Sequence, residues 1–163
     1  RVGRDGKKFI FYKFRSMKPN AEAELDDLLD QNEMDGPVFK IKKDPRITRV
    51  GRFIRRASID ELPQLINVFL GDMSLVGPRP HMLKHTDEFT EMVDGYMLRH
   101  QVKPGVTGWS QVNGYRGEIK KVEDIQNRVK FDLWYIDNWS FFLDLRIILK
   151  TMALCFGNDR HAH

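Results

Sequence analysis

Cysteine is almost absent: the 163-residue chain has one, Cys155. That excludes an internal disulfide framework and a cysteine-based zinc site, and it suits a reducing compartment. Histidine is sparse as well, and the five present show no metal-ligand spacing. The chain has neither an initiator Met nor a signal-peptide pattern, so it reads as an excised piece of a longer protein. No apolar run is suited to crossing a bilayer. Trp139–Phe156 comes nearest, and Asp144, Arg146 and Lys150 interrupt it. Glycines 105, 108 and 114 lie in a turn-rich stretch but have neither P-loop nor Rossmann spacing. A strong basic excess is also missing: Lys+Arg exceed Asp+Glu only 27 to 23. No aromatics are interleaved with the arginines as a stacking platform would need, so nucleic acid is not an expected partner.

What charge there is lies unevenly. Arg1–Lys18 and Lys40–Arg56 are basic, while Glu22–Asp35 is acidic. Phe9–Phe14 has the composition of a short strand, with Lys13 and Arg15 on one side. Asn20–Asn32 reads as a helix capped by Asn20, with Ala21, Leu25, Leu28 and Leu29 as its apolar stripe. Turns at Gly36-Pro37 and Asp44-Pro45 bracket a strand at Val38–Ile41. Thr48–Ala57 suits an amphipathic helix with Val50, Phe53, Ile54 and Ala57 on one face and Arg49, Arg52, Arg55 and Arg56 elsewhere. A helix over Asp60–Leu70 ends at Gly71, a second pattern over Asp87–His100 breaks near Gly95, and Trp109–Val112 reads as a short strand. Val122–Tyr135 is helical, with Ile125, Val129, Leu133 and Ile136 as core candidates. In Trp139–Phe156, the side carrying Phe141, Phe142, Leu145, Ile148, Leu149 and Met152 suits either a core or a bilayer interface. These elements predict an α+β, predominantly helical single domain with short β-hairpins and no large sheet.

The stretch richest in chemistry is Ser58–Leu65, with adjacent carboxylates at Asp60 and Glu61. Arginines 46, 49, 52, 55 and 56 precede it, and Gly77-Pro78-Arg79-Pro80 follows. Asp60 can attack phosphorus or hold a metal, and Glu61 can hold a metal or take a proton. Two prolines stiffen the backbone around Arg79, so its guanidinium is aimed, ready to fork onto phosphate or carboxylate oxygens. A structural account competes: Ser58-x-x-Glu61 also fits a capping box, whereas Pro63 sits better if the cap is Asp60.

In this order, the pieces resemble the bacterial sugar transferases, or monotopic phosphoglycosyl transferases. The matching segments are Tyr12–Met17, Asp44–Thr48, Ser58–Leu65 with Asn67, Gly71–Pro80, Lys103–Trp109, Gln111–Gly114, Asp132, Tyr135-Ile136, Asn138–Ser140 and Leu143-Asp144. Around Gly95–His100 and Tyr115–Glu118 the chain is most similar to the branch that transfers glucose 1-phosphate to undecaprenyl phosphate. The resemblance implies transfer of hexose 1-phosphate from a UDP-sugar, here UDP-glucose, to a polyprenyl phosphate, with release of UMP. UDP-galactose or a UDP-N-acetylhexosamine is the alternative donor. A non-catalytic basic module that binds anionic lipid or nucleic acid is the alternative from another class.

By the same resemblance Asp60 is the nucleophile, with Glu61 and Asp60 at a Mg²⁺ ion. Arg79 binds the nucleotide end, and Lys13, Arg55, Arg116 and Asp132 match further functional positions. Residues 1–157 are then the catalytic domain and 158–163 a disordered tail. Helices at the membrane surface place the domain on the cytoplasmic face of the bacterial inner membrane. Family members carry a re-entrant membrane helix just upstream of Arg1's position, so this sequence corresponds to their cytosolic portion. A homo-oligomer is left open.

Overall fold

The computed structural model describes residues 1–31, 41, 44–115, 119 and 121–156. Five α-helices and one small sheet make the frame: α1 Arg49–Arg56, α2 Gln64–Phe69, β1 Ser74–Val76, α3 Leu83–Met92, β2 Gly105–Thr107, α4 Val122–Asp137 and α5 Phe141–Phe156. The fold is mostly helical α+β, as the composition predicts. Its one described sheet pairs β1 and β2 in parallel, with Ser74 opposite Gly105 and Val76 opposite Thr107. In place of the predicted hairpin ladders there are isolated antiparallel bridges, Val2 to Lys8 and Met17 to Ile47.

Several elements differ from expectation for identifiable reasons. Among the described residues Phe9–Phe14 pairs with no strand. The buried Asn67 amide takes the place of one, accepting from Tyr12 N at 3.0 Å and donating to Ile10 O at 2.6 Å. The segment 20–31 is not a continuous α-helix but turns followed by a 3₁₀ helix, Asp26–Gln31. The buried Arg46 guanidinium takes the Ala21 carbonyl that an α-helix would use, and Leu25 N bonds back to Glu22 instead. Trp109–Val112 is helical rather than extended, running into a π turn over Gln111–Tyr115. Tertiary contacts override β propensity there, since Trp109 stacks on Trp134 of α4 at 5.1 Å. The strand expected at 38–41 falls, except for Ile41, outside the described residues, as does the tail.

Two apolar clusters hold the helices. Phe89, Val93, Tyr96, Ile119, Ile125 and Val129 join α3 and the 3₁₀ helix Tyr96–Gln101 to α4. Val76, Tyr135 and Ile147 join the sheet, α4 and α5, with Trp109, Ile136 and Ile148 packed alongside. At the α4–α5 corner, Asp144 accepts hydrogen bonds from Tyr135 OH at 2.7 Å and Trp139 Nε1 at 3.1 Å.

Much apolar surface is left outside. On α5, Ile147 is buried, while Phe141 (65 % exposed), Phe142 (79 %) and Leu149 (62 %) face out. On α2, Phe69 is 91 % exposed. Val50 and Phe53, on the apolar face of α1, are exposed too, and Gly51 is the helix's buried residue.

Candidate active site

The site is assembled at a tight turn between α1 and α2. After Arg56, Ala57 ends the helix and Ser58 takes φ 54°, ψ 19°, the left-handed conformation that glycine usually supplies at a helix end. A serine there costs roughly 1–2 kcal/mol of local strain. The Ser58 side chain makes no capping bond to the following turn. That turn is a 3₁₀ segment, Ile59–Glu61, separated from α2 by Leu62 and Pro63. The expected single helix from Asp60 is therefore split, and neither Ser58 nor Asp60 acts as its side-chain cap. The split gives the two carboxylates different surroundings: Asp60 is 3 % exposed, and Glu61 borders an open cavity.

Each carboxylate meets a cation. Lys13 Nζ lies 2.8 Å from Asp60 Oδ2. It is carried there by a segment fastened at both ends: Phe14 N bonds to Asp60 O at 3.0 Å, and Ser16 O accepts from Thr48 N at 3.1 Å. Gly51 makes that approach feasible, because a Cβ at this position would fall 1.9 Å from Ser16 O. Arg79 engages Glu61 through both terminal nitrogens, with Nη1 3.3 Å from Oε2 and Nη2 against Oε1. Burial works to lower the Arg79 pKa, but Glu61 and Asp60 outweigh it and the net shift is upward. Burial and the Arg79 charge lower the pKa of Arg1, with Glu61 opposing, which puts a further guanidinium beside the pair.

The Pro78-Arg79-Pro80 turn is held from behind. Gly77 and Gly105 let the segment leaving β1 approach the one entering β2; Gly105 N donates to Pro78 O at 3.0 Å. A Cβ on Gly105 would come within 2.1 Å of Gly77 N. Arg99, 2 % exposed, donates from Nη2 to the Arg79 carbonyl at 2.9 Å and to Asp132 Oδ2 at 2.5 Å. Ser110 Oγ donates to the other oxygen of Asp132 at 2.7 Å.

Thus Lys13, Asp60, Glu61 and Arg79 come together, whereas Asp132, expected to bind substrate, is enclosed. At 1 % exposure, its two oxygens are engaged by Arg99 and Ser110, and it fixes Arg99. Arg55 donates to Ser16 Oγ at 2.7 Å and helps lower the Asp44 pKa, after the larger effect of Arg46 bonding. It thus supports the Lys13 segment. Arg116 lies outside the described residues. The sequence marks Arg99 only as part of the Gly95–His100 segment and Ser110 not at all: an arginine between Leu98 and His100 does not announce its burial, and its carboxylate partner is 33 residues away.

Among the described residues no group of three or more His, Cys, Asp or Glu side chains is placed to hold a metal. Two adjacent carboxylates still fit Mg²⁺, which takes oxygen ligands and completes its shell with water and substrate phosphates. Asp60 and Glu61 are the residues that would hold such an ion.

Paired carboxylates against a lysine and an aimed arginine make a site suited to phosphoryl chemistry. The chain belongs to the bacterial sugar transferase family, whose match runs over residues 1–158. It is 48 % identical over 158 residues to the UDP-glucose:undecaprenyl-phosphate glucose-1-phosphate transferase of Escherichia coli (strain K12), covering 97 % of this chain and 32 % of that protein. It is 47 % identical over 163 residues to the undecaprenyl-phosphate galactose phosphotransferase of Salmonella typhimurium, covering 98 % and 33 %. A galactosyl transferase of Streptococcus agalactiae is 49 % identical over 154 residues, covering 94 % and 33 %. The chain spans about a third of the length of these relatives.

Proposed function

We propose that the chain transfers hexose 1-phosphate from a UDP-sugar to a polyprenyl phosphate, with Asp60 as the nucleophile and UDP-glucose as the donor. The observation that carries the reading is the buried Asp60 carboxylate held by Lys13 one residue from the Glu61–Arg79 pair. The Asp60 oxygen attacks the phosphorus that bears the sugar. The bond from that phosphorus to the bridging oxygen breaks, UMP leaves with the electron pair, and a phosphosugar remains on Asp60. A phosphate oxygen of the lipid then attacks the same phosphorus. Asp60 leaves as a carboxylate, and the lipid departs as a diphosphate-linked sugar.

Lys13 and Arg79 offset the repulsion between carboxylate and diphosphate, and Arg79 orients the nucleotide end. Mg²⁺, when held by Asp60 and Glu61, supplies further neutralisation of the phosphoryl oxygens. Covalent transfer lets a single site serve a soluble donor and a lipid acceptor in turn. No helix among the described residues is long and apolar enough to cross a membrane. The exposed apolar faces of α2 and α5 support docking on the cytoplasmic face of the bacterial inner membrane.

Release of UMP tests the reaction. Incubation with Mg²⁺ and UDP-glucose is expected to give UMP faster than UDP-galactose or UDP-N-acetylglucosamine does, and Asp60→Asn is expected to give none. Equal UMP release by Asp60→Asn would remove Asp60 from the chemistry.

A further inference from the structure

Residues 1–8 form a loop packed against the turn that aims Arg79. Val2 pairs with Lys8 in an antiparallel bridge, and Phe9 N bonds to Arg1 O at 3.0 Å, so the loop closes on itself. Val2 is buried and shares a void of about 10 Å³ with Pro78, Arg79, Pro80 and Arg99. That packing fixes the position of the residue before it. The Arg1 guanidinium lies over the Phe11 ring, 5.1 Å from its centroid, and Phe11 stands two residues before Lys13. One side of Arg1 is thus tied to the segment that carries Lys13, and the other to the turn that carries Arg79.

The charges at this place do not balance. Asp60 is taken by Lys13 and Glu61 by Arg79. Among the described residues no carboxylate forms an ion pair with Arg1. Burial, then the Arg79 charge, lowers its pKa, and Glu61 offsets only part of that. A partly buried guanidinium beside another cation is unfavourable until an anion joins the two. The contact with Phe11 holds the group in place but supplies no such charge. A diphosphate does, because its oxygens can meet two guanidinium forks at once.

We propose that Arg1 is a further substrate-binding residue, which takes the diphosphate of the UDP-sugar together with Arg79. The assignment rests on the donor class proposed above and adds a residue to which the sequence pattern gave no role.

Binding of UDP and of uridine, each titrated by NMR with Mg²⁺ present, tests it on the parent chain, Arg1→Gln and Arg1→Lys. Arg1→Gln is expected to weaken UDP binding at least about tenfold, the worth of a hydrogen bond to a charged group, and to leave uridine binding unchanged. Arg1→Lys keeps the charge and loses the fork, so its UDP affinity should fall between those of the parent and Arg1→Gln. An Arg1 that only braces the loop would weaken both ligands together or neither. Unchanged UDP affinity in Arg1→Gln would therefore overturn the assignment, as would equal losses for UDP and uridine.

The donor reaction is scored separately, by UMP release in the parent and in Asp60→Asn. Release that needs Asp60, with UDP affinity indifferent to Arg1, would sink the Arg1 assignment alone. UDP affinity that falls with Arg1, without Asp60-dependent release, would sink the transfer reading and keep Arg1 as a diphosphate ligand.

Discussion

At the residue scale, the site depends on charges that are paired before any substrate arrives. Arg99 and Asp132 are both almost fully enclosed, and the Arg99 guanidinium spends its remaining donors on the Arg79 carbonyl and on His81, with Nη1 3.0 Å from His81 Nδ1. Removing one partner of such a pair costs about 3–5 kcal/mol, because the other charge stays buried. Asp132→Asn is therefore expected to lower the unfolding free energy by that amount and to loosen Arg79, raising KM for the UDP-sugar. Urea melts and steady-state kinetics would check both.

His100 gives a second expectation. Burial, reinforced by the neighbouring Arg99 charge, lowers its pKa from 6.5 to about 4. The folded protein refuses a proton that the unfolded chain accepts below pH 6.5. Stability is thus fully present above that pH and is lost as pH falls toward about 4, by at most ~1.4 kcal/mol per pH unit. Melts at pH 7 and pH 5 should show a smaller difference in His100→Gln than in the parent; an identical difference would count against the assignment.

At the scale of elements, the decisive contact is between the N-terminal turn of α1 and the segment that bears Lys13. Thr48 caps α1 by accepting from Gly51 N at 2.8 Å, and the same turn receives the Ser16 carbonyl. A methyl at position 51 has no room, so Gly51→Ala is expected to push residues 13–16 away and weaken the Lys13–Asp60 contact. Transfer activity should fall more than the melting temperature does, a comparison that thermal melts and UMP release make directly.

This is also the scale at which the sequence is least legible. The helices over 49–56, 122–137 and 141–156 can be read from periodicity and caps, because their own side chains decide them. The 3₁₀ turn at Ile59–Glu61, the helical Trp109–Tyr115 stretch and the unpaired Phe9–Phe14 segment cannot. Each is fixed by a distant partner: Lys13 and Phe14 for the turn, Trp134 and Asp132 for the helical stretch, Asn67 for the segment. Local pattern says nothing about those. The acidic pair and the aimed Arg79 were legible from their setting, since a run of arginines precedes the pair and two prolines bracket Arg79. The inward turn of Asp132 was not.

Taken whole, the molecule has a buried polar network around Arg99 and Asp132 and many of its most exposed apolar side chains on α1, α2 and α5. Val50, Phe53, Phe69, Phe141 and Phe142 face out, and Arg49, Arg52 and Arg56 lie on the same short helix as the first two. Aromatic side chains with cations nearby match an anionic lipid surface. Phe142→Asp is expected to reduce sedimentation with phosphatidylglycerol vesicles roughly tenfold, the worth of one buried aromatic side chain. Its melting temperature should stay within a degree or two of the parent's, since Phe142 touches little of the core. Unchanged vesicle binding would take α5 off the membrane surface.

The central claim is that a phosphosugar forms on Asp60, and intact-protein mass spectrometry after mixing with Mg²⁺ and UDP-glucose tests it most directly. The account predicts a mass increase of one hexose phosphate that maps to Asp60, is absent in Asp60→Asn and disappears when a prenyl phosphate is added. UMP release without any adduct, or an adduct that maps elsewhere, would contradict it.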